Sequence, residues 1–321
     1  MRRVRIGIDV GGTFTDAVAV DNETYEIIAQ DKLPTTHSAA EGVAAGIIEI
    51  LQKLLTENHI APEEVVFIAH GTTQATNALL EGDVAKVGIL GMGHGFWAGR
   101  AASDTAVEDI PLAPGKTLAA VHAFARAADA ASQGETIRAK IDALARQGAT
   151  VIVASEAFGV DAPEGERFVM DLAREKGLFA TGGHEVSRLY GLKTRTRTAV
   201  INGSLIPKMM ETADMTENSV RRSGITAPLL IMRCDGGVMA ADEVRRRPIL
   251  TMLSGLAAGV AGALMYEKMS NGIFLESGGT STDISAVRDG RVMARGGELG
   301  GHKLYLRSLD VRTLGVAGGS M

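Results

Sequence analysis

One six-residue pattern, Gly-Gly-Thr-x-Thr-Asp, occurs twice in this chain, at positions 11–16 and 278–283. A shift of 267 positions that superimposes the two copies also places Ala286 and Val287 on Ala19 and Val20. In both copies a strand-like segment precedes the glycines and another follows the aspartate, so each copy predicts the start of a β-meander. Repetition of one supersecondary unit at about the separation of a domain predicts two related half-molecules.

Both copies carry acidic residues at the same places. Asp9 and Glu276 stand two residues before the double glycine, and Asp16 and Asp283 end the pattern. Glycines let backbone N–H groups approach an oxyanion, and carboxylates are the oxygen ligands that Mg²⁺ takes beside phosphates. One such loop is most often only a hairpin turn, but a turn needs no carboxylate on each side. The two copies together therefore predict phosphate and magnesium binding.

Between the two copies, apolar strand-like runs alternate with amphipathic helical patterns, which predicts an α/β fold. Ser38 and Glu41 have the spacing of a capping box before the first helix. The pattern weakens over Phe96–Val121, which predicts an irregular insertion or lid. A polar, basic stretch over Tyr190–Thr198 predicts a boundary between a first domain, 1–195, and a second domain, 196–321.

Composition excludes several classes of protein. With 45% hydrophobic and 22% charged residues the chain is typical of a soluble globular protein, and its net charge of −5 shows no basic footprint for nucleic acid. No apolar run reaches the roughly 20 residues of a membrane helix. The amino terminus lacks the apolar core of a signal peptide, and Cys234 is the only cysteine. These features predict a cytoplasmic protein without membrane or nucleic-acid partners.

The duplicated motif resembles those of the superfamily of sugar kinases, actin and heat-shock ATPase chaperones, in which ATP lies between two ribonuclease H-like domains. Further segments narrow the resemblance to the hydantoinase/5-oxoprolinase A family, which includes the matching subunits of acetone and acetophenone carboxylases. The segments that carry it are IDVGGTFTD at 8–16, HGTTQATNALL at 70–80, SGLAAGV at 254–260, SGGTSTD at 277–283 and GVAGGS at 315–320.

The resemblance implies a fold of two ribonuclease H-like domains related by internal duplication, with ATP and Mg²⁺ as cofactors. It implies that Asp9, Glu276 and Asp283 act in catalysis and bind the metal. The implied nucleotide-binding residues are Gly11, Gly12, Thr13, Thr15, Asp16, Gly278, Gly279, Thr280, Ser281, Thr282, Gly318 and Gly319.

A substrate loop is expected at His70, Gly71, Thr72 and Thr73. These residues stand between a strand end and a helix start, where N–H donors and hydroxyls are available to a polar substrate. A plain helix cap with an interior histidine explains the same residues, and the resemblance favours the substrate role. Loops at Asp235–Gly237 and at Ser254–Gly255 are open to the same two interpretations.

The function implied by the resemblance is ATP-dependent phosphorylation of the carbonyl oxygen of a cyclic amide, such as a hydantoin or 5-oxoproline. A hydantoinase B-type partner subunit would then hydrolyse the ring. Alternatives are an ATP-dependent carboxylase subunit acting on a ketone, an ATPase chaperone or reactivating factor, and a catalytically silent nucleotide-binding subunit. The sequence identifies no general base.

Three departures from the family pattern stand out. Glu276 occupies a place that is usually aspartate, and Leu256 one that is usually proline. The family's proteins also run well beyond the Gly318–Ser320 loop. We therefore expect an incomplete second domain, in a fragment or a split subunit.

Overall fold

The computed structural model describes residues 2–36, 43–126, 134–268, 270–278, 282–314, 316 and 318. Its strands are β1 Val4–Val10, β2 Phe14–Asp21, β3 Ile27–Pro34, β4 Val65–Thr72, β5 Val87–Gly93, β6 Ile110–Ala113, β7 Lys116–Leu118, β8 Ala120–Arg126, β9 Val151–Glu156, β10 Phe179–Gly182, β11 Leu229–Met232, β12 Val238–Ala240, β13 Gly272–Ser277, β14 Thr282–Arg288, β15 Arg291–Val292, β16 Ala294–Leu299, β17 His302–Leu309 and β18 Val311–Leu314. Its α-helices are α1 Val43–Glu57, α2 Gln74–Glu81, α3 Ala98–Thr105, α4 Gly134–Arg146, α5 Glu164–Glu175, α6 Gly183–Val186, α7 Leu192–Arg222, α8 Ala241–Arg246 and α9 Ser254–Glu267.

The first sheet has six strands in the order β12-β11-β4-β1-β2-β3. Strands β1, β2 and β3 form an antiparallel meander, and β4 and β11 join it in parallel. Val4, Ile6 and Ile8 alternate along β1 and are buried in the main core, together with the apolar face of α1. Because β11 and β12 follow residue 195, this sheet crosses the boundary predicted between residues 195 and 196.

The second sheet is entirely parallel and has the order β10-β9-β5-β8. Every residue of β5 and β9 is buried, as expected when helices cover both faces of a parallel sheet. Helices α4 and α5 cover one face and α7 the other. A Cβ on Gly203 of α7 would lie 3.1 Å from Val153, so this glycine lets the helix pack closely on β9. The alternation of strands and helices confirms the predicted α/β class.

The segment Phe96–Val121 is regular rather than irregular. It contains the end of a 3₁₀ turn, α3, the two-stranded β6–β7 hairpin and the first residues of β8. Pro111 lies within β6, which pairs with β7 alone among the described strands. Prolines occur in such edge strands because they lack the N–H donor that a further neighbouring strand would need. The capping box predicted at Ser38 and Glu41 lies outside the described residues.

The second copy of the repeat forms a smaller sheet in which β14 pairs with β13, β15 and β18. Strands β16 and β17 form an antiparallel hairpin, which we call the arm, between β15 and β18. The arm packs on α7, where the Tyr305 backbone N–H donates to the Thr198 hydroxyl at 2.9 Å. Leu304 and Leu306 of the arm are buried in the main core. The arm therefore ties the second copy to the first half of the chain.

The two copies differ in how β13 and β1 are covered. Ile6 and Ile8 are 1% and 3% exposed, whereas their equivalents under the shift, Ile273 and Leu275, are 68% and 63% exposed. Strand β1 pairs on both edges, and β13 pairs with β14 alone among the described strands. In the described part of the chain, no helix is both long and apolar enough to cross a membrane.

Candidate active site between the two hairpins

The first Gly-Gly loop is closed by hydrogen bonds of its own. The Gly11 N–H donates to the Phe14 carbonyl at 3.0 Å, and the Thr35 hydroxyl donates to the Gly11 carbonyl at 2.9 Å. Thr15 is fully buried, with its hydroxyl 3.2 Å from that of Thr35. Of the predicted nucleotide-binding residues in this loop, Gly12 and Thr13 are exposed at its tip, whereas Thr15 braces the loop from inside.

The two hairpins have the same register. Asp9 pairs with Asp16 across β1 and β2, and Glu276 pairs with Asp283 across β13 and β14. The next pair in each hairpin is also equivalent: Val10 lies opposite Thr15, and Ser277 lies opposite Thr282. The acidic residues that the sequence aligns at a shift of 267 positions therefore occupy equivalent places in the two hairpins.

Helix α9 lies between the two hairpins and presents a glycine to each carboxylate. A Cβ on Gly255 would lie 3.4 Å from Oδ1 of Asp9, and one on Gly259 would lie 2.7 Å from Oε2 of Glu276. The backbone of Gly71, near the end of β4, also contacts Asp9, since a Cβ on Gly71 would lie 2.6 Å from Oδ1 of Asp9. At Gly71 and Gly259 the backbone can approach the acids this closely only because these positions lack a Cβ, whereas a Cβ on Gly255 would make an ordinary contact.

The start of α9 is fixed to the end of β4 and to α2. The Ser254 hydroxyl donates to the Thr72 carbonyl at 3.0 Å, and the Leu253 N–H donates to the Thr76 hydroxyl at 3.0 Å. Leu253 has a φ of +56°, a left-handed conformation that is unusual for a non-glycine residue. The loop predicted to bind substrate thus positions the helix that contacts both acids.

The acidic residues of the two hairpins repel one another. Loss of hydration raises the pKa of Asp9, Asp16 raises it further, and Lys32 opposes the rise. Loss of hydration also raises the pKa of Glu276, and the charges of Asp9 and Asp283 add to it. A cation between Asp9 and Glu276 would relieve this repulsion.

The donor set fits a magnesium ion that takes only part of its coordination from protein. Among the described residues, no group of three or more histidine, cysteine, aspartate or glutamate side chains is arranged to hold a metal. The predicted trio of Asp9, Glu276 and Asp283 is therefore not a complete cage, and Asp283 is only 6% exposed. Mg²⁺ commonly uses one or two carboxylates together with water and phosphate oxygens, so a site with fewer than three protein ligands is compatible with it.

A cavity of about 570 Å³ lies over the face of the first sheet that bears Asp9. Its lining includes Asp9, Asp16, Lys32, Gly71 and Ala258, which come from β1, β2, β3, β4 and α9. The Lys32 ammonium lies 3.1 Å from Asp16, and it also lies 4.7 Å from the centre of the Phe14 ring. The cavity thus has acidic groups and one cation in its wall.

The predicted substrate loop reaches this cavity only through Gly71. His70 is 2% exposed, and burial lowers its pKa to about 4 against a hydrogen bond with the Ile8 backbone, so the imidazole is neutral. Thr72 is also buried, and its hydroxyl accepts the Gln74 N–H at 3.2 Å. Thr73 accepts a hydrogen bond from Asn77 at 3.3 Å. Because side chains alternate along β4, Gly71 faces the cavity while His70 and Thr72 face the interior.

The second loop and the carboxyl-terminal segment lie together. The Gly318 N–H donates to the Gly278 carbonyl at 3.2 Å, and the Thr282 hydroxyl donates to the Val316 carbonyl at 2.6 Å. The remaining predicted nucleotide-binding residues of this region, Gly279, Thr280, Ser281 and Gly319, lie outside the described residues.

Two positions in this site were missed from the sequence. Gly259 follows Gly255 by one helical turn, and this spacing in a small-residue helix would have placed both glycines on one face. Lys32 pairs with Asp16 across β2 and β3, which strand alternation could have suggested once the hairpin register was assumed.

Two family models and several known proteins match this chain. The family model for the hydantoinase/oxoprolinase N-terminal region matches residues 5–177, and the hydantoinase/oxoprolinase model matches residues 195–321. The caprolactamase alpha subunit of Pseudomonas jessenii is 27% identical over 100% of this chain and 49% of its own length. The acetophenone carboxylase gamma subunit of Aromatoleum aromaticum is 27% identical over 89% of this chain and 43% of its own.

Two solved structures share the fold. The nucleotide-free structure of acetone carboxylase aligns with a TM-score of 0.76 at 22% identity, over 99% of this chain and 48% of that one. The ATP-dependent caprolactamase from Pseudomonas jessenii aligns with a TM-score of 0.69 at 23% identity, over 97% and 48%. The chain thus spans about half the length of these relatives, and about a quarter of the 5-oxoprolinases that it also matches.

Proposed function

Because the chain belongs to the hydantoinase/oxoprolinase family, we propose that it is the ATP-using part of an enzyme that activates a cyclic amide. ATP and Mg²⁺ would bind between the two hairpins, and the carbonyl oxygen of a hydantoin, 5-oxoproline or another lactam would receive the phosphoryl group. A hydantoinase B-type partner subunit would then open the ring. The names of the relatives support this proposal, since one is an ATP-dependent caprolactamase and others are 5-oxoprolinases.

The observation that carries the proposal is the matched placement of Asp9 and Glu276. The two carboxylates occupy equivalent positions in two hairpins of the same register, and one helix presents a glycine to each. This arrangement supports a cation with polyphosphate between the hairpins, and two ribonuclease H-like domains related by duplication. The exposed loop tip at Gly12 and Thr13 would face the phosphates of the nucleotide.

Bound Mg-ATP would supply the phosphoryl group and neutralise its developing charge. The chain's own contribution is positioning and exclusion of water. Asp9 and Glu276 would hold the metal, and the absence of a Cβ on Gly71 leaves room for the Asp9 carboxylate beside the end of β4. Lys32, on the wall of the cavity, would offset part of the negative charge near Asp16.

The division into domains 1–195 and 196–321 stays a prediction. The match to one family model ends at residue 177 and the match to the other begins at residue 195, which favours this division, whereas the first sheet continues to Ala240.

The exposed face of β13 at Ile273 and Leu275 supports the idea that another protein surface covers this strand, since large exposed apolar faces usually mark contacts. A cytoplasmic location likewise stays a prediction.

A second candidate is the ATP-dependent carboxylation of a ketone. Its support is the similarity to an acetophenone carboxylase gamma subunit and an acetone carboxylase beta subunit. The two reactions share activation of a carbonyl oxygen and differ in what attacks afterwards, so the same cavity would serve either.

Phosphate release by the purified chain tests the proposal. We expect release that depends on a lactam or hydantoin once the candidate partner subunit is added. Release that depends on acetone or acetophenone with bicarbonate would favour the carboxylase. Nucleotide binding without stimulation by any of these compounds, with or without the partner, would favour a silent nucleotide-binding subunit or a reactivating factor.

A further inference from the structure

Four residues form a row across the first sheet. Gly71 pairs with Asp9, Asp9 pairs with Asp16, and Asp16 pairs with Lys32, so the row crosses β4, β1, β2 and β3 in register. Residues directly opposite one another place their side chains on the same face of a sheet. All four residues line the cavity of about 570 Å³. Lys32 therefore shares a face and a cavity with the candidate metal ligand Asp9.

A second row lies two residues further from the first Gly-Gly loop and carries no charged side chain. It consists of Ala69, Gly7, Val18 and Gln30, which also pair in register and line the same cavity. The cavity floor thus has a charged row next to the loop and an uncharged row beyond it. A polyphosphate held at the loop would end at the charged row, and an uncharged carbonyl compound suits the row beyond.

Lys32 is the only cation among the residues that line this cavity, as far as the structure describes the chain. The acids in the lining are Asp9, Asp16 and Asp31, and Asp31 is paired with Lys53 at 2.6 Å. A phosphate that enters this cavity brings further negative charge close to Asp9 and Asp16, and the repulsion must be offset. Apart from a metal ion, Lys32 is the lining group that can offset it.

The contacts of Lys32 leave it available for a ligand. Its ammonium lies 3.1 Å from the Asp16 carboxylate, and both side chains are about half exposed. Exposed ion pairs of this kind are weak, and an ammonium has three donors, of which Asp16 engages only part. The ammonium also acts at the candidate metal position, since burial and Asp16 raise the pKa of Asp9 whereas Lys32 lowers it.

We propose that Lys32 binds the terminal phosphate of ATP, which is the phosphate to be transferred. This inference rests on the proposed function, in which the phosphates lie at the loop and the carbonyl compound lies in the cavity. The terminal phosphate then lies between the two, at the row that contains Asp9 and Lys32. The flexible stem of Lys32 lets its ammonium turn from Asp16 toward the phosphate oxygens. Lys32 thus distinguishes ATP from ADP, which lacks that phosphate.

Calorimetric titration with two nucleotides tests this role. The probes are the β,γ-imido analogue of ATP, which prevents turnover, and ADP, both with Mg²⁺. Lys32→Met should weaken binding of the ATP analogue about ten-fold or more, because a charge-assisted contact is lost, and should change ADP affinity by less than about two-fold. Lys32→Gln should behave in the same way. Lys32→Arg keeps the charge and should retain most of the affinity for the ATP analogue.

Lys208→Met is the matched control. Lys208 lies 3.0 Å from Asp83 in an ion pair of similar length and exposure, and neither residue lines the cavity. This variant should change neither affinity. The Asp16→Asn background separates loss of a contact from repulsion by an Asp16 carboxylate left without its cation. In that background, Lys32→Met should still weaken binding of the ATP analogue.

Three results would overturn the role of Lys32 alone. They are an equal loss of affinity for the ATP analogue and ADP in Lys32→Met, the parent affinity for the ATP analogue in that variant, and no effect of Lys32→Met in the Asp16→Asn background. A parent chain that binds neither nucleotide would overturn the proposed function together with this role.

Discussion

The carboxylate of Glu276 lies directly against the backbone of Gly259, where a Cβ would come within 2.7 Å of Oε2 and 3.1 Å of the Phe274 ring. The same helix contacts Asp9 through Gly255, one turn earlier. Helix α9 is therefore a spacer whose glycines set how closely the two hairpins approach each other. Changes on this face should act on nucleotide binding and stability together.

Gly259→Ala should weaken Mg-ATP binding, because the new methyl group displaces the Glu276 side chain. Crowding against the Phe274 ring and Oε2 should offset part of the roughly 0.5 to 1 kcal/mol that alanine gains over glycine in a helix, so the free energy of unfolding should rise less than in a helix position with open space. Gly262 is the matched control in the same helix, since a Cβ there meets nothing within 4 Å. Gly262→Ala should leave binding intact and stabilise the helix by about 0.5 to 1 kcal/mol. Equal effects of the two substitutions on nucleotide affinity would show that α9 does not position Glu276.

Glu156 should make stability depend on pH. Burial, with the nearby charges of Glu166 and Glu164, raises the pKa of Glu156 to about 7 from an ordinary 4.5. The folded state therefore holds this proton more tightly than the unfolded state, and the resulting stability is lost as pH rises from 4.5 through 7.

Glu156→Gln removes that titration. Its stability should match the parent near pH 5 and exceed it by about 2 to 3 kcal/mol at pH 8, measured by urea unfolding. Glu108→Gln, at an exposed position, is the control that should show no such trend. A constant difference between Glu156→Gln and the parent across this range would mean that Glu156 is ionised throughout.

The arm between β15 and β18 should contribute measurably to stability through its tip. Gly300 has a φ of +57°, and a Cβ there would lie 2.0 Å from the Pro111 carbonyl oxygen; Gly301 has a φ of +74° and open space around it. Gly301→Ala should cost about 1 to 2 kcal/mol for the left-handed backbone alone. Gly300→Ala should cost about 1 to 3 kcal/mol more, because it also collides with β6. Similar unfolding free energies for the two variants would indicate that the arm tip does not rest on β6.

The sequence predicted the two hairpins well, because their patterns are local. The alternation of residues along β1 and the glycines after Val10 already define a strand and a turn, and the repeat supplied the equivalent positions of Asp9 and Glu276. The α/β class followed in the same way from helical and strand periodicities.

Long-range pairing could not be predicted from these patterns. The residues in and around Leu229–Met232 do not indicate that this strand pairs with β4. They therefore do not indicate that the first sheet continues past residue 195. The arm inserts between β15 and β18, and its packing on Thr198 joins residues more than a hundred positions apart. The orientation of the His70 loop was also open, since the strand end fixed its place but not which side chains face the cavity.

The central claim is that Asp9 and Glu276 jointly hold the cation of Mg-ATP, and calorimetric titration of the chain with ATP, in the presence and absence of Mg²⁺, tests it most directly. With Mg²⁺, Asp9→Asn and Glu276→Gln should each lose about ten- to a hundred-fold in affinity, which is about 1.5 to 3 kcal/mol, while Asp289→Asn at the exposed β14–β15 turn should match the parent. Without Mg²⁺, the two site variants should bind ATP at least as well as the parent, because a charge that repels the phosphates has been removed. Folded Asp9→Asn and Glu276→Gln variants that bind Mg-ATP with the parent affinity would contradict the account.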